Sequence, residues 1–454
     1  MNKDLVIIGA GPGGYEVALK AASLGLNVAL IEKDEIGGTC LNHGCIPTKA
    51  LYKNAEVMHT LKHSDEFGFQ DIKYSFDFNT VQTRKDNVVK QLKNNINIML
   101  KKANVEVIKG VATFKDEYTI QVYCEDKEIE IIADHFIIAT GSTEKIIPIE
   151  GYQLSHVVTS KEMLDINEVP KKLVIIGGGV IGVEMATIFN ELGSEVAIYE
   201  YFDRLTPMID KDISSRLKVY LKKLGINITL DALVEKIEET DEGLKVSGQT
   251  KKGKPFSEET EYVLMATGRQ AFYDRLNLDE INVLYDKKGI VVNEYLQTSI
   301  PHIYAVGDVT GGNMLAHVAT YQSYKALDHI FNKENNTNFK IVPACVFTFP
   351  EIATVGLTEE EAKAQYETVK TNKFMFRANG KALSMGETDG FVKVIAANNC
   401  LVGVHIIGPQ ASSLIQEAVV LVEQKISVKV ASEIIHAHPT LTEALLEAIR
   451  GLNE

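Results

Sequence analysis

Residues 4–14 read DLVIIGAGPGG, and residues 172–182 read KLVIIGGGVIG. In each, a short apolar run enters a G-x-G-x-x-G turn: Gly9, Gly11 and Gly14 in the first, Gly177, Gly179 and Gly182 in the second. A helical pattern follows and ends 16 positions after the first glycine, at Gly25 and Gly193. An apolar strand comes next, NVALIE or EVAIYE, and closes on an acid 23 positions after the first glycine, Glu32 or Glu200. One G-x-G-x-x-G carries little information. Strand, turn, helix, strand and acid in register, twice in one chain, carry far more. The first glycine makes a tight turn, the second lets backbone approach a pyrophosphate, and the third lets helix pack on strand. The helix N-terminus offers free N–H groups to phosphate, and the acid accepts from the adenosine ribose. The pattern predicts two dinucleotide sites in an α/β chain. The alternative is two glycine-rich turns with no ligand, which leaves the matched spacings to chance.

The second acid also speaks to the kind of nucleotide. A carboxylate at position 200 repels a 2′-phosphate, which NADP sites commonly meet with an arginine. Arg204 stands nearby in YEYFDRL, but Glu200 favours NAD. HFIIATG (135–141) and YVLMATG (262–268) are apolar strands that return the chain to each site. IYAVGDVTGG (303–312) is a strand running into a Gly-Asp turn, where Asp308 is placed to bind a cofactor hydroxyl, although a Gly-Asp pair by itself is more often just a turn.

Length and composition set the frame. The 454 residues are enough for two to four domains, and 45% hydrophobic with 24% charged residues is ordinary for a soluble globular protein. No apolar run approaches the ~18 residues of a membrane helix. The strand pattern begins at Leu5, leaving no room for a leader, so cytoplasm is the expected location. A net charge of −14 argues against nucleic-acid binding and suits a basic protein partner.

The boundaries read as 1–148 and 149–269 for the two dinucleotide units, 270–338 for a central segment, and 339–454 for a C-terminal α+β domain. Within them, 80–103 reads as an amphipathic helix, 316–331 and 411–424 as further helices, and NKENNTN (332–338) as a linker. TEEEAKAQ (358–365) carries a capped helix start, and FVKVIAANNCLVGVHIIG (391–408) a hairpin. The last domain has no glycine fingerprint and is of a size suited to association.

GGTCLNHGCIPTK (37–49) holds Cys40 and Cys45, the only close pair among five cysteines. C-x-x-x-x-C is not a usual zinc spacing, although His43 between them leaves a metal reading open, as does a reading as two inert core thiols. The sharper reading is a redox pair. A helix beginning about Pro47 places Cys45 near its N-terminus, where a thiolate is favoured. Lys49 lies one helical turn beyond.

These residues resemble the pyridine nucleotide–disulfide oxidoreductases, over the whole chain. The resemblance implies FAD at the first site, NAD at the second, a Cys40–Cys45 disulfide against the flavin, and a C-terminal dimerisation domain. GPGGYEVALKAA (11–22), Glu200 and HAHPTLTEAL (436–445) are most similar to members that reoxidise dihydrolipoamide on a carrier. The implied partners are a second copy of the chain and a lipoyl-carrying acyltransferase or glycine-cleavage carrier protein. His438 is the implied base, oriented by Glu443, with His436 a bystander, and it acts across a homodimer. Lipoamide sulfur would attack Cys40, leaving Cys45 as a thiolate.

The resemblance places Gly9, Gly11, Gly14, Glu32, Lys33, Gly38, Thr39, Lys49, Ala112, Thr140, Gly141, Asp308, Met314, Leu315, Ala316 and His317 at FAD. It places Gly177, Gly179, Gly182, Glu184, Glu200, Val234 and Gly268 at NAD, with Glu184 also pairing Lys49. No metal site is implied. Glutathione reductases lack an acid like Glu200, and mercuric reductases carry a C-terminal cysteine pair, whereas the last cysteine here is Cys400, alone. A related reductase of another substrate, or an assembly subunit, remains the alternative. Two features depart from the family pattern: His43, and the stretch ATYQSYKALDHIF (319–331). His43 between two thiols is expected to tune their ionisation. Replacing it by alanine should shift the pH–rate profile, and an unchanged profile would refute that role.

Overall fold

The structure is a computed structural model that describes residues 1–453. It is the expected α/β class, with two Rossmann-like sheets and a C-terminal α+β domain. Contacts divide it into two units: 1–50, 79–145 and 268–337 in the first, 51–78, 146–267 and 338–454 in the second.

In the first unit the strand Asn2–Ile8 lies between Val28–Glu32 and Glu128–Ile138, parallel to both. Glu106–Lys109 extends one side, and the hairpin Val111–Asp116 and Thr119–Tyr123 the other. Ile303–Ala305 also pairs with the end of Glu128–Ile138. Leu5 to Ile8 are all buried, since a parallel sheet is covered on both faces. Ile8 is in register with Ile31 and Ile138, and Ile138 with Ala305, so four strands end at one level. The chain runs from Asn2–Ile8 to Val28–Glu32 and on to Glu106–Lys109 on one side, and only later places Glu128–Ile138 on the other; such a switch is where open α/β sheets leave a ligand crevice. The helix Pro12–Ser23 buries Gly13, Gly14, Val17, Ala18 and Ala21. Gly13 lets it meet the helix Ala316–Ile330: a β-carbon at Gly13 would lie 3.2 Å from Ala319 O.

The second unit repeats the plan. Lys172–Ile176 lies between Glu195–Tyr199 and Tyr262–Met265, all parallel. Its helix, Val180–Leu192, ends at Gly193 with φ 118°, the left-handed stop read from the sequence. A three-stranded antiparallel sheet spans Ala232–Thr240, Gly243–Thr250 and Pro255–Thr260. The C-terminal domain is a five-stranded antiparallel sheet containing the hairpin Phe391–Ala397 and Cys400–Gly408. The helices Ala411–Glu423 and Glu443–Arg450 pack on it, and the core includes Val392, Val394, Val404, Ile406, Ile415 and Ile449. Helix Glu359–Gln365 starts with the anticipated capping box, Thr358 with Glu361.

One polar cluster interrupts this core. Lys393, 1% exposed, sits mid-strand between buried valines. Its ammonium meets Asp210 at 2.9 and 3.0 Å, Asp212 at 2.6 Å and Glu359 at 2.7 Å. Asp210 also caps the helix Lys211–Lys223 and accepts from Glu359 N. Burial pushes the carboxyls of Asp210 and Asp212 up, yet hydrogen bonds and charge from Lys393, joined by Lys373 at Asp212, hold both below the usual carboxylate range. Glu359 is lowered by its bonds to Lys363 and Lys393. Such depressed acids stabilise above their unfolded pKa and lose that contribution as pH falls through the folded values. Lys393→Met keeps most of the volume but strands the acids, and is expected to cost about 3–5 kcal/mol. Denaturant unfolding at pH 7 checks the loss, and it should shrink when the comparison is repeated below about pH 4.

Candidate functional site

The two glycine turns match atom for atom. Gly9 N donates to Ile31 O at 2.8 Å and Gly177 N to Tyr199 O at 2.9 Å. Ala139 N donates to Ile8 O and Ala266 N to Ile176 O, each at 2.8 Å, so the Ala-Thr-Gly segments do return to the turns. A β-carbon on Gly14 would lie 1.8 Å from Gly9 O, and one on Gly182 2.0 Å from Gly177 O. Only glycine lets these helices sit so close to their turns.

The acids are held in the same way. Glu32 accepts from Ala10 N at 2.7 Å and Asp34 N at 2.8 Å, and burial pushes its carboxyl up. Glu200 accepts from Gly178 N and, at 2.7 Å, from Phe202 N. Each carboxylate is therefore spent partly on the turn itself, a use the sequence reading did not assign. Each keeps further lone pairs for a ligand. The repeat also runs further than the sequence suggested. Gly110 N donates to Glu32 O and Ala232 N to Glu200 O, each at 2.8 Å. These bonds tie the strands bearing Ala112 and Val234 to the two acids.

The middle glycines test the fit to a dinucleotide. Gly11 and Gly179 are the N-caps of their helices, with ordinary negative φ and no side-chain cap. A β-carbon on Gly11 would find only Gly38 Cα at 4.0 Å, and one on Gly179 nothing within 4 Å. Neither glycine is needed for the backbone or for packing. Each leaves space before a helix N-terminus, which is what a pyrophosphate requires.

The cysteines adjoin the first turn. Gly38, at φ 58°, begins the short helix Gly38–His43 and packs on Gly11, since a β-carbon there would lie 2.7 Å from Gly11 Cα. Gly37 N donates to Ala10 O at 2.9 Å. Thr39 and half-buried Cys40 lie on this helix, and exposed Cys45 opens the next, Cys45–Lys62, two residues ahead of the expected start. Both cysteines are thiols in this structure. The hydrogen bond that Cys40 donates to Cys45, together with burial, pushes the Cys40 thiol far up, while Lys49 pulls the other way, so Cys40 is the proton holder of the pair. Asp308 and Tyr15 also feel Cys40. His43 Nε2 lies 3.8 Å from Asp34. Among the described residues no group of three or more His, Cys, Asp or Glu could hold a metal ion.

Asp308 sits in the turn Gly307–Thr310, where burial pushes its carboxyl up. Ser142 donates to it at 2.5 Å, and Arg269 grips Ser142 through Nε and Nη2, each at 2.8 Å, and Glu144 through Nη1. Ser142 and Arg269 are site residues that the sequence reading missed. Their only signal is position: each directly follows an Ala-Thr-Gly. Thr140 donates to Phe272 O, Gly141 O accepts from Phe272 N, and Lys33 lies 3.6 Å over the Phe272 ring. Met314 and Leu315 lead into the helix that Ala316 and His317 begin. In the second unit, buried Glu184 accepts from Phe347 N at 2.9 Å. Gly268 has φ 105°.

Also in the second unit, His438 Nδ1 meets Glu443 Oε1 at 2.9 Å. The other oxygen of Glu443 accepts from Thr440 N at 2.8 Å. Those two bonds, Thr440 first, hold the Glu443 carboxyl below its usual range. His438 is 78% exposed, whereas His436 is almost buried and tied to Glu417 at 2.8 Å. One imidazole is thus oriented with its Nε2 outward, and the other is engaged in structure.

Residues 3–323 match the pyridine nucleotide-disulphide oxidoreductase family, and residues 342–449 match its dimerisation domain. The chain belongs to the pyridine nucleotide-disulphide oxidoreductases. Like the family, it is an oxidoreductase with FAD and NAD as cofactors. Family members similar to it include a dihydrolipoyl dehydrogenase of Bacillus subtilis, 41% identical across 98% of this chain and 97% of that protein. A dihydrolipoamide dehydrogenase of Chaetomium thermophilum is 37% identical across 98% and 90%. Among solved structures of this type, LpdA of Mycobacterium tuberculosis superposes with a TM-score of 0.91 at 26% identity, covering 99% of each chain. An HOCl-induced flavoprotein disulfide reductase of Escherichia coli gives 0.88 at 29%, covering 98% and 99%.

Gly179→Val separates ligand space from fold, because its backbone angles suit valine and its β-carbon meets nothing. The variant is expected to retain FAD and its unfolding midpoint. Its KM for NAD⁺ should rise by at least about tenfold, which is ~1.4 kcal/mol of binding. Steady-state kinetics beside a denaturation curve check this.

Proposed function

We propose that this chain is an NAD-dependent dihydrolipoyl dehydrogenase that works as a homodimer. The observation that carries the reading is the Cys40–Cys45 pair seated on the first glycine turn with Cys40 as proton holder. The full-length likeness to dihydrolipoyl dehydrogenases supports the substrate. In the oxidised enzyme the two cysteines form a disulfide. His438 Nε2, with Nδ1 fixed by Glu443, takes a proton from the first thiol of dihydrolipoamide. That sulfur attacks Cys40, the Cys40–Cys45 bond breaks, and Cys45 leaves as the thiolate at its helix N-terminus. The second lipoamide thiol then attacks the first sulfur, closing the lipoamide disulfide and releasing Cys40; the imidazolium gives its proton to Cys40, and the imidazole so freed takes the proton of the second lipoamide thiol. Glu443 stays ionised throughout and stabilises that imidazolium.

Bound FAD supplies the electron path from the dithiol to NAD⁺. Gly9, Gly11, Gly14, Glu32 and Asp308 would hold it, with Ala112, Lys33, Thr140, Gly141 and the Met314–His317 segment around it. Gly177, Gly179, Gly182, Glu200 and Val234 would hold NAD. The segments 1–148, 149–269, 270–338 and 339–454 would serve as FAD, NAD, FAD-completing and interface portions. In a homodimer, exposed His438 would serve the disulfide of the partner subunit. Its substrate arm would come on a lipoyl-bearing acyltransferase or glycine-cleavage carrier protein in the cytoplasm. A disulfide reductase of another substrate is the second reading, favoured by the likeness to the HOCl-induced reductase.

Purified holoenzyme with dihydrolipoamide and NAD⁺ should form NADH quickly, with little NADPH from NADP⁺. His438→Gln should lower that rate by about 10²–10⁴-fold. It should leave NADH oxidation by an artificial acceptor near normal. No turnover by protein that keeps FAD and a reducible disulfide would transfer the assignment to the second reading.

A further inference from the structure

The loop after Glu200 is closed on the second glycine turn at both ends. Glu200 accepts from Gly178 N, and Thr206 N donates to Gly178 O at 2.8 Å. Thr206 is a β-branched residue at φ 44°, and its buried hydroxyl has no hydrogen-bond partner. That is a costly conformation, so the surroundings impose this closure on the loop. Arg204 rides on it and is the cation nearest Glu200 in sequence, of the type that meets a 2′-phosphate. Its guanidinium already has partners. One nitrogen, Nη2, donates both to Pro207 O at 3.3 Å and to Glu360 Oε2 at 3.2 Å.

The helix start that carries Glu360 is anchored. The neighbouring Glu359 is held by Lys393, its N–H is held by Asp210, and Thr358 caps the helix. The other cation of the loop region, Lys251, is occupied too, 4.2 Å over the Tyr201 ring and 3.6 Å from Asp231.

We propose that Glu360 is a specificity-positioning residue: it draws Arg204 away from the nucleotide ribose and so helps exclude 2′-phosphorylated coenzyme. Glu200 repels the phosphate directly, and Glu360 withholds the group that would neutralise it. This rests on reading the second turn as the pyridine nucleotide site.

The test is calorimetric titration of the holoenzyme with 2′,5′-ADP and with 5′-AMP, in the parent and in a Glu200→Ala background. Glu360→Gln should improve affinity for 2′,5′-ADP relative to AMP by about three- to fivefold, as a part-exposed ion pair permits. AMP binding itself should not move. Adding Arg204→Gln should erase the gain. The ratio of kcat/KM for NADPH over NADH, read with an artificial electron acceptor, should follow the same order. An unchanged ratio in Glu360→Gln in both backgrounds, or a gain that survives Arg204→Gln, would overturn the proposal. Unmeasurable 2′,5′-ADP binding in the Glu200→Ala, Glu360→Gln protein would overturn it as well. Neither probe contains lipoamide, so a wrong substrate assignment would appear separately, as absent dihydrolipoamide turnover with an intact nucleotide response.

Discussion

Both candidate nucleotide sites depend on how closely a helix can approach the turn that feeds it. At Gly14 and Gly182 the helix backbone lies so near the preceding carbonyl that a single methyl group would overlap it. That closeness aims the first helical N–H groups over the carboxyl ends of the strands, where four strand ends share one level in the first unit. It also leaves the amides of Ala10 and Gly178 pointing at the next strand, where Glu32 and Glu200 accept from them. The acid is thus both a ligand candidate and a brace of the turn. A buried carboxylate is tolerable there because it is hydrogen-bonded.

This part of the molecule was legible because its constraints are local. Turn, helix stop and terminal acid lie within 23 residues, and each demands a residue type that composition alone would not supply. The helix at 411–424, the capped start at Thr358 and the hairpin after Phe391 were legible for the same reason. The clamp on Asp308 was not. Ser142 and Arg269 come from sequence positions far from Asp308 and meet only through the two-stranded pairing of Ser142–Glu144 with Arg269–Ala271. The Lys393 cluster was hidden by its pattern as well. Lysine within an alternating strand reads as solvent-facing, yet both faces of Phe391–Ala397 are buried. Nor does sequence distance reveal that 51–78 packs with segments that begin at 146 and 338. Long-range partners of polar groups leave no periodic trace.

The thiol pair and the imidazole illustrate two ways to prepare a proton transfer. Cys40 is half-buried and hydrogen-bonded to Cys45, so its surroundings decide which sulfur carries the proton. His438 is open to solvent and is prepared only by direction, through one bond to a carboxylate already committed to a backbone N–H. A hydrogen bond and burial set the sulfur chemistry, and orientation sets the base.

The cluster around Lys393 is uneven: three carboxylates share its one fully buried ammonium, while Asp212 and Glu359 also reach Lys373 and Lys363. Its tolerance of sequence drift is therefore uneven too. Any one acid can be lost with two still compensating the lysine, so the acidic positions are free to vary one at a time. At Asp210 the lysine has no understudy, since Lys373 and Lys363 pair with Asp212 and Glu359 instead. Over long divergence, Asp212 or Glu359 can exchange with neutral residues while position 393 stays cationic, and a change at 393 becomes acceptable only after the acids around it have already gone.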